Sequence, residues 1–251
     1  MQNSTQSVRR ALTLLKAFDR ATPPLGVTEL AARVGLHKST AYRLAVTLVA
    51  EGFLRQDPIT GRYSLGDSLY RVAAGFVEQD PLMREGRPVL EALRDACGHM
   101  VSLAVLDEGQ ALFVLVVEAT LPIRAAAMMA GDRLPLSVSA AGKVLLAGLS
   151  RAQADEMLRR EGLPRLTPAS LASRQQLMRE IAAIHREGVG WSREEAVTGL
   201  LAISAPVRRA GRTVAAMSMA CPTNLLTARS ADQLARRLRA AADQLSEHLG
   251  A

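Results

Sequence analysis

The sequence predicts an α+β protein in two parts: a small helical domain closed by a strand hairpin, and a larger domain built on an antiparallel sheet. Three observations carry that prediction. Residues 28–54 read as two short amphipathic helices around a glycine, and residues 53–65 as two short strands around a turn. Beyond residue 80, strand-like segments pair as hairpins instead of alternating one by one with helices, as a doubly wound sheet would require. With 251 residues, 49% hydrophobic and 22% charged, the chain is long and apolar enough for two folded cores.

The first helix is expected over residues 7–18, where Val8, Ala11, Leu12, Leu15 and Phe18 form one stripe. A second starts at Thr28, whose hydroxyl can cap it, and turns Leu30, Ala31 and Val34 to one face. Gly35 supplies the turn. After it, Ala41, Leu44, Ala45 and Leu48 repeat at helical spacing and leave Lys38, Ser39, Thr40, Tyr42, Arg43 and Thr47 outside. Lysine and arginine reach phosphates or guanine edges and hydroxyls reach either, mostly from the N-terminal half of a recognition helix. Taken alone, such a pair also suits a plain helical hairpin. The following hairpin, Phe53-Leu-Arg-Gln-Asp-Pro-Ile-Thr-Gly-Arg-Tyr-Ser-Leu65, shifts the balance: its Asp57-to-Gly61 turn makes a wing and completes a winged helix-turn-helix over residues 1–66. Arg55 and Arg62 flank that turn, where arginines lie along phosphates or enter a minor groove.

Charge agrees. Residues 1–66 hold nine Lys or Arg against four Asp or Glu, a net of +5, while residues 67–251 hold 22 against 20, a net of +2. A basic excess concentrated on one small domain is the footprint of a nucleic-acid binder, because each neutralised phosphate releases condensed counterions.

A connecting helix is expected over residues 67–79, with Leu69, Val72 and Phe76 at helical spacing, and Asp80-Pro81 marks the start of the second domain at residues 80–251. There a helix over 82–96 precedes strands at 100–106 and 111–117 joined by Asp107-Glu-Gly-Gln110. Helices over 140–147, 151–160 and 171–187 follow, then strands at 202–208 and 213–220 around Ala210-Gly211. A terminal helix carries Leu234, Leu238, Ala241 and Leu245 on one stripe, with Arg236, Arg237 and Arg239 solvated. Cys97 and Cys221 are too few for a disulfide framework and lie beside apolar segments, so free buried thiols are expected. No apolar run reaches the roughly 18 residues that span a bilayer, and Arg9 and Arg10 sit within an amphipathic helix, so a cytoplasmic protein without a membrane partner is expected.

Enzymatic and metal chemistry find little footing. Ser137-Val-Ser-Ala-Ala-Gly-Lys-Val144 superficially resembles a phosphate loop, but Ser137 stands for the first glycine and Val144 for the hydroxyl that would bind Mg²⁺. The four histidines are scattered, and Cys97-Gly-His99 lacks a second ligand pair at zinc spacing. Glu194 and Glu195 are adjacent carboxylates that point apart, and Cys221 has no neighbouring cation to make it a thiolate. The chain is expected to be no enzyme and to use no cofactor.

Two sets of residues, in order along nearly the whole chain, resemble one known family. The N-terminal set is Ser7-Val-Arg-Arg-Ala-Leu12, Leu30-Ala-Ala-Arg-Val-Gly-Leu36, Lys38-Ser-Thr-Ala-Tyr-Arg-Leu44, Glu51-Gly-Phe-Leu54 and Tyr63-Ser-Leu-Gly66. The C-terminal set is Gly131-Asp-Arg-Leu-Pro-Leu136, Ala140-Ala-Gly-Lys-Val-Leu-Leu-Ala147, Glu194-Glu195, Gly199, Ala205-Pro-Val207 and Ser218. On these residues the chain resembles the IclR-type transcriptional regulators. The resemblance implies a winged helix-turn-helix that binds double-stranded operator DNA as a homodimer, in some members a dimer of dimers, and a GAF-like C-terminal domain that binds a small organic acid. By position it implies Lys38, Ser39, Thr40 and Arg43 as recognition-helix contacts, next to the outward-facing Tyr42, and Arg55 and Arg62 as wing contacts.

The effector pocket that the resemblance implies is lined by the 131–143 loop and helix, the segment near Ser192, and strands near Ala202 and at Ser218 and Ala220. Members that bind short polar acids such as glyoxylate or pyruvate tend to carry Asp at the position of Ser192, Cys at Ala202 and Ser at Ala220, and a frequent His stands at Ser137. A buried polar ligand atom without a partner costs about 1–3 kcal/mol, so these losses favour a flatter, less polar ligand, an aromatic carboxylic acid or a derivative. Met128, Met129, Leu134, Leu136, Val138 and Leu201 would give apolar walls, and amides at Ala140 and Ala141 would hold the carboxylate, with Gly131, Ser137, Ser192, Ala202, Ser218 and Ala220 completing the site. The alternatives are a short aliphatic keto or hydroxy acid as effector, or a C-terminal domain that acts as an enzyme on its ligand.

Overall fold

Leu14, Leu30, Ala41, Ala45, Leu54 and Tyr63 are almost wholly buried and form one core. They belong to the first of two units, Met1–Gln79 and Asp80–Ala251, into which the computed structural model divides; it describes residues 5–18, 22–120 and 128–250. Three helices build the first unit: α1 (Gln6–Lys16), α2 (Val27–Arg33) and α3 (Lys38–Ala50). The two-stranded wing β1 (Leu54–Gln56) and β2 (Tyr63–Leu65) follows, then α4 (Asp67–Gln79). Two expectations shift. The core takes the Leu14 side of α1, with Ala11, Leu15 and Phe18 beside it, while Val8 and Leu12 stay 56% and 55% exposed. In α2 the cap is Gly26 and not Thr28, because the Glu29 carboxylate reaches back to accept from the Gly26 N–H at 2.7 Å and starts the helix one residue earlier. Gly35, at φ +63°, makes the turn between α2 and α3 in a conformation that costs glycine nothing.

The second unit is a six-stranded antiparallel sheet in the order β5-β4-β3-β8-β7-β6. Its strands are β3 (Met100–Asp107), β4 (Gln110–Val117), β5 (Arg133–Pro135), β6 (Gly190–Arg193), β7 (Leu200–Arg209) and β8 (Arg212–Pro222). The helices α5 (Pro81–Cys97) and α9 (Ala228–His248) cover one face, where Val89, Leu90, Leu238 and Leu245 pack on Leu103, Ile203, Val207 and Met217. On the other face lie α6 (Ala140–Ala147), α7 (Arg151–Glu161) and α8 (Arg174–Glu187), through Val144, Leu146, Leu158, Leu177 and Ile181. Helix α8 starts at Arg174, three residues later than periodicity suggested, because Ser173 caps it and Gln176 reaches back to the Ser173 N–H at 3.1 Å. The short strands β5 and β6 were not expected; neither has the length to show an alternating pattern.

A bulge decides how the sheet uses β4. The register shifts between Leu103 and Ala104, whose partners are Leu115 and Phe113, so Val114 stands unpaired. Ala111 and Phe113 therefore pack with the α6 side and Leu115 and Val117 with the α5 side, although all four have the same parity. On α9, Ala242 is the buried residue and Ala241 is half-buried. Arg237 and Arg239, expected to be solvated, donate to Ala96 O at 2.9 Å and Glu187 O at 3.2 Å and tie α9 to the ends of α5 and α8. Cys221 is buried as expected, whereas Cys97 is half-buried.

Candidate functional site

The N-terminal unit presents one polar helix face. Helix α3 buries Ala41, Ala45 and Leu48 and exposes Lys38, Ser39, Tyr42, Arg43, Val46 and Thr47; Thr40 is half-buried. Its first turn is capped by His37, whose Nδ1 lies 3.4 Å from the Ser39 N–H and 2.9 Å from Ser39 Oγ. The Lys38 ammonium and the Arg43 guanidinium make no hydrogen bond or ion pair among the described residues, so both charges remain available to phosphates or base edges.

The wing is built by its turn. Asp57 Oδ1 accepts from the Ile59 and Thr60 amides at 2.9 and 2.7 Å, and the Gly61 N–H donates to Asp57 O at 2.9 Å. Those bonds, Thr60 first, hold the Asp57 carboxyl below the usual carboxylate range, and they carry Ile59 to the tip at 92% exposure. Arg55 spends only its Nε, on Ser64 Oγ at 3.0 Å. Arg62 is employed differently from the expectation of a free phosphate contact: its Nη1 donates to Pro24 O at 2.7 Å and Glu29 Oε2 at 2.9 Å, bracing β2 against the start of α2. The Gly26 N–H and then Arg62 pull the Glu29 carboxyl below its usual range.

In the C-terminal unit a cavity opens on the α6 face of the sheet. Its floor is two rows of residues paired across strands. One row runs Met100, Ala220, Ala202, Ser192 over β3, β8, β7 and β6; the next runs Ser102, Ser218, Ser204. Ser204 lies under the floor and donates to Met217 O, and Ser218 donates to Ser204 Oγ at 2.9 Å. Phe113, Met128 and Leu134 close one side, and Ala196, Val197 and Leu200 another. The start of α6 faces the cavity through Ser139, Ala140 and Ala141. Ser139 Oγ accepts from the Gly142 N–H at 3.0 Å, while the first amides of a helix have no intrahelical acceptor. Gly142 lets α6 sit this close, since a Cβ there would fall 2.4 Å from the Leu136 backbone.

Of the fourteen residues expected at the effector site, Met128, Leu134, Ala140, Ala141, Ser192, Ala202, Ser218 and Ala220 line the cavity. Six do not. Leu201 points to the opposite face and packs in the α5 and α9 core, because strand side chains alternate and its neighbour Ala202 takes the cavity side. Leu136 is core beneath α6, Ser137 is buried with an unpartnered hydroxyl, Met129 is 41% exposed, and Gly131 sits in a turn at φ +95°. Val138 contributes only its carbonyl, which accepts from Ser192 Oγ at 2.8 Å. Met100, Ser102, Phe113, Ser139, Ala196, Val197 and Leu200 line the cavity without having been singled out. For the strand residues the signal was strand parity, Ser102 two residues on from Met100 and Leu200 two before Ala202.

Behind the cavity lies a buried charge cluster that spacing did not reveal. Lys143 of α6 is fully buried, and its Nζ donates to Glu195 Oε1 at 2.7 Å, Glu180 Oε2 at 2.6 Å and Trp191 O at 2.9 Å. Burial pushes the Glu195 carboxyl upward, outweighing the pull of Lys143. Glu194 does point away from Glu195: it has φ +60° and accepts from the Gly199 N–H at 2.9 Å. Together these bonds fasten residues 194–199, and with them Ala196 and Val197, to α6 and α8.

Comparison with known proteins identifies the family of both parts of the chain. Residues 7–58 match the IclR helix-turn-helix domain, and residues 74–247 match the C-terminal domain of the bacterial transcriptional regulator IclR. The chain is 31% identical to the HTH-type transcriptional regulator XynR of Escherichia coli K12, over 98% of this chain and 97% of that one. It is 32% identical to the transcriptional repressor IclR of the same organism, over 88% and 82%. Among solved structures, an IclR homologue from Microbacterium hydrocarbonoxydans in complex with 4-hydroxybenzoate has a TM-score of 0.86 at 24% identity, covering 97% of this chain and 99% of that one. On both domain matches and these relatives, the chain belongs to the IclR family of bacterial transcriptional regulators.

Proposed function

We propose that this regulator senses an aromatic carboxylate, or a close derivative, in the cavity under α6 and so controls a catabolic operon from the cytoplasm. One observation carries the ligand class: the described lining residues are apolar side chains and four serines, Ser102, Ser139, Ser192 and Ser218, with no charged side chain among them. A ring would face Phe113, Met100 and Met128, and the carboxylate would meet the first amides of α6, where backbone N–H groups and the helix dipole favour an anion. The Microbacterium protein shows that this fold holds a hydroxybenzoate; the case for this chain rests on its own lining. That lining offers hydroxyls but no carboxylate, imidazole, thiol or amine among the described residues, which supports binding over catalysis.

For the DNA side we propose double-stranded operator contacts from Lys38, Ser39, Tyr42 and Arg43 on α3 and from Arg55 on the wing, made by a homodimer. Val8 and Leu12 on α1, and Tyr70, Val72 and Phe76 on α4, are exposed by 55–78% and offer an apolar surface for the second copy. Effector binding would shift the dimer between arrangements that do and do not set two recognition helices about 34–36 Å apart. A coupling of about 1–3 kcal/mol changes operator affinity roughly 5- to 150-fold, enough for regulation without chemistry.

Thermal unfolding of the full chain against benzoate, 4-hydroxybenzoate, pyruvate and glyoxylate tests the ligand class. At ~100 times its dissociation constant a ligand stabilises the fold by about 2.7 kcal/mol. A raised midpoint with aromatic acids, recovered unaltered after incubation, is the expected outcome. A response to pyruvate or glyoxylate alone, or turnover of the ligand, would refute the reading.

A further inference from the structure

A second cleft opens at the other end of α6, away from the effector cavity. It is bordered by Ala147 and Gly148 at the end of α6, by His185 in the last turn of α8, and by the β7–β8 hairpin through Arg208, Arg212 and Thr213. Val144, Ile184 and Pro206 give it an apolar base, and none of the described lining residues is a carboxylate.

The hairpin that supplies the cations is electrostatically awkward. Arg208, Arg209 and Arg212 fall within five residues of chain, and Arg209 is paired directly opposite Arg212. Like charges facing each other across a strand pair destabilise it. Some other arginines of this unit answer carboxylates, as Arg87 does Glu91 and Arg133 does Asp107. The guanidiniums of Arg208, Arg209 and Arg212 have no hydrogen-bond or ionic partner among the described residues. The C-termini of α6 and α8 border the cleft, but each carries only about half a negative charge, and neither the arginines nor His185 donate to their carbonyls.

We infer that this cleft binds a small, multiply charged oxyanion, an organic phosphate or a polycarboxylate, held by Arg208 and Arg212 with His185 at the rim. Planar guanidiniums grip phosphate and carboxylate oxygens through paired N–H donors. The apolar base accepts the anion's carbon skeleton. A concave site with such a base suits a small organic anion and not a duplex, whose phosphates track an open basic surface.

Isothermal titration of the full chain with pyrophosphate and, separately, citrate tests this, the two probes separating a phosphate ligand from a polycarboxylate. One site per chain is expected for at least one probe, weakened about tenfold or more in Arg212→Gln and in Arg208→Gln. A Lys38→Gln/Arg43→Gln chain, altered only in the N-terminal unit, is expected to keep the heat. Equal binding in the two hairpin variants, loss only in the N-terminal variant, or no binding of either probe overturns the assignment. Melting curves provide an independent check on folding. Without anion, Arg212→Gln is expected to melt no lower than the parent, because the charge facing Arg209 is gone, and to lose the anion-induced rise; a retained rise, or a lower midpoint without anion, refutes the site.

Discussion

Lys38 and Arg43 stand at the start of the exposed face of α3 with no partner among the described residues, which separates them from Arg62, already bound to Glu29 and Pro24. The two kinds of arginine should respond differently. Lys38→Gln and Arg43→Gln are expected to weaken operator binding by about 1–3 kcal/mol where a base edge is read, and to lower the slope of log affinity against log salt by about one where a phosphate is met. Fluorescence anisotropy across a salt series reads both. A second residue-scale expectation concerns the thiols. Burial raises the Cys221 thiol from 9.0 to about 12, so it stays protonated and inert in the folded chain. Because the folded value lies above the unfolded one, the neutral buried thiol favours the fold below pH 9, and that contribution falls away as pH climbs toward 12. Alkylation by iodoacetamide at pH 8 should therefore mark Cys221 only after denaturant is added; rapid labelling of the native protein would contradict the burial.

Among the elements, α6 borders the proposed effector cavity, and its placement depends on one hydrogen atom. Gly142 meets the backbone of Leu136 so closely that a methyl group has no room, and the neighbour is chain, not a movable side chain. Gly142→Ala is expected to push the start of α6 outward, cost about 1–3 kcal/mol by overpacking, and displace the amides of Ala140 and Ala141. Urea unfolding would register the loss of stability, and the thermal response to 4-hydroxybenzoate should shrink in the same variant. The elements themselves were largely legible: α3, the wing, α6 and the two long hairpins recur close to where periodicity and turn residues put them. What escaped was short or non-local. Strands β5 and β6 span three and four residues, too few for a period. The cap of α2 came from Glu29 reaching back, a contact that a preceding Thr or Ser would normally advertise.

At the scale of the whole molecule, the proposed homodimer rests on the exposed apolar residues of α1 and α4. Val72→Asp together with Phe76→Asp places charge on side chains 63% and 57% exposed in the single chain, so the fold should tolerate it. Analytical ultracentrifugation is expected to show a lower oligomer, and operator affinity should fall with it, since each half-site is then bound alone. Unchanged mass with unchanged DNA binding would move the dimer surface elsewhere.

By itself the sequence determined the two-part plan, the helix pair with its glycine turn, the wing, the hairpins, and the basic bias of the first quarter of the chain. All of these follow from local spacing and composition, which a linear reading can see. Only the tertiary structure decided which strand residues face the cavity. A bulge beside Leu103 changes the face that β4 presents, and alternation along β7 sends Leu201 to one core and Ala202 to the other side. Nor could spacing bring Lys143 to Glu180 and Glu195, or leave Arg208 and Arg212 together over one cleft. The Lys143 pairings join residues far apart in the chain, and they, like the meeting of the hairpin with α6 and α8 at that cleft, are chosen by how the sheet closes its hydrogen bonds and which side of it each helix covers.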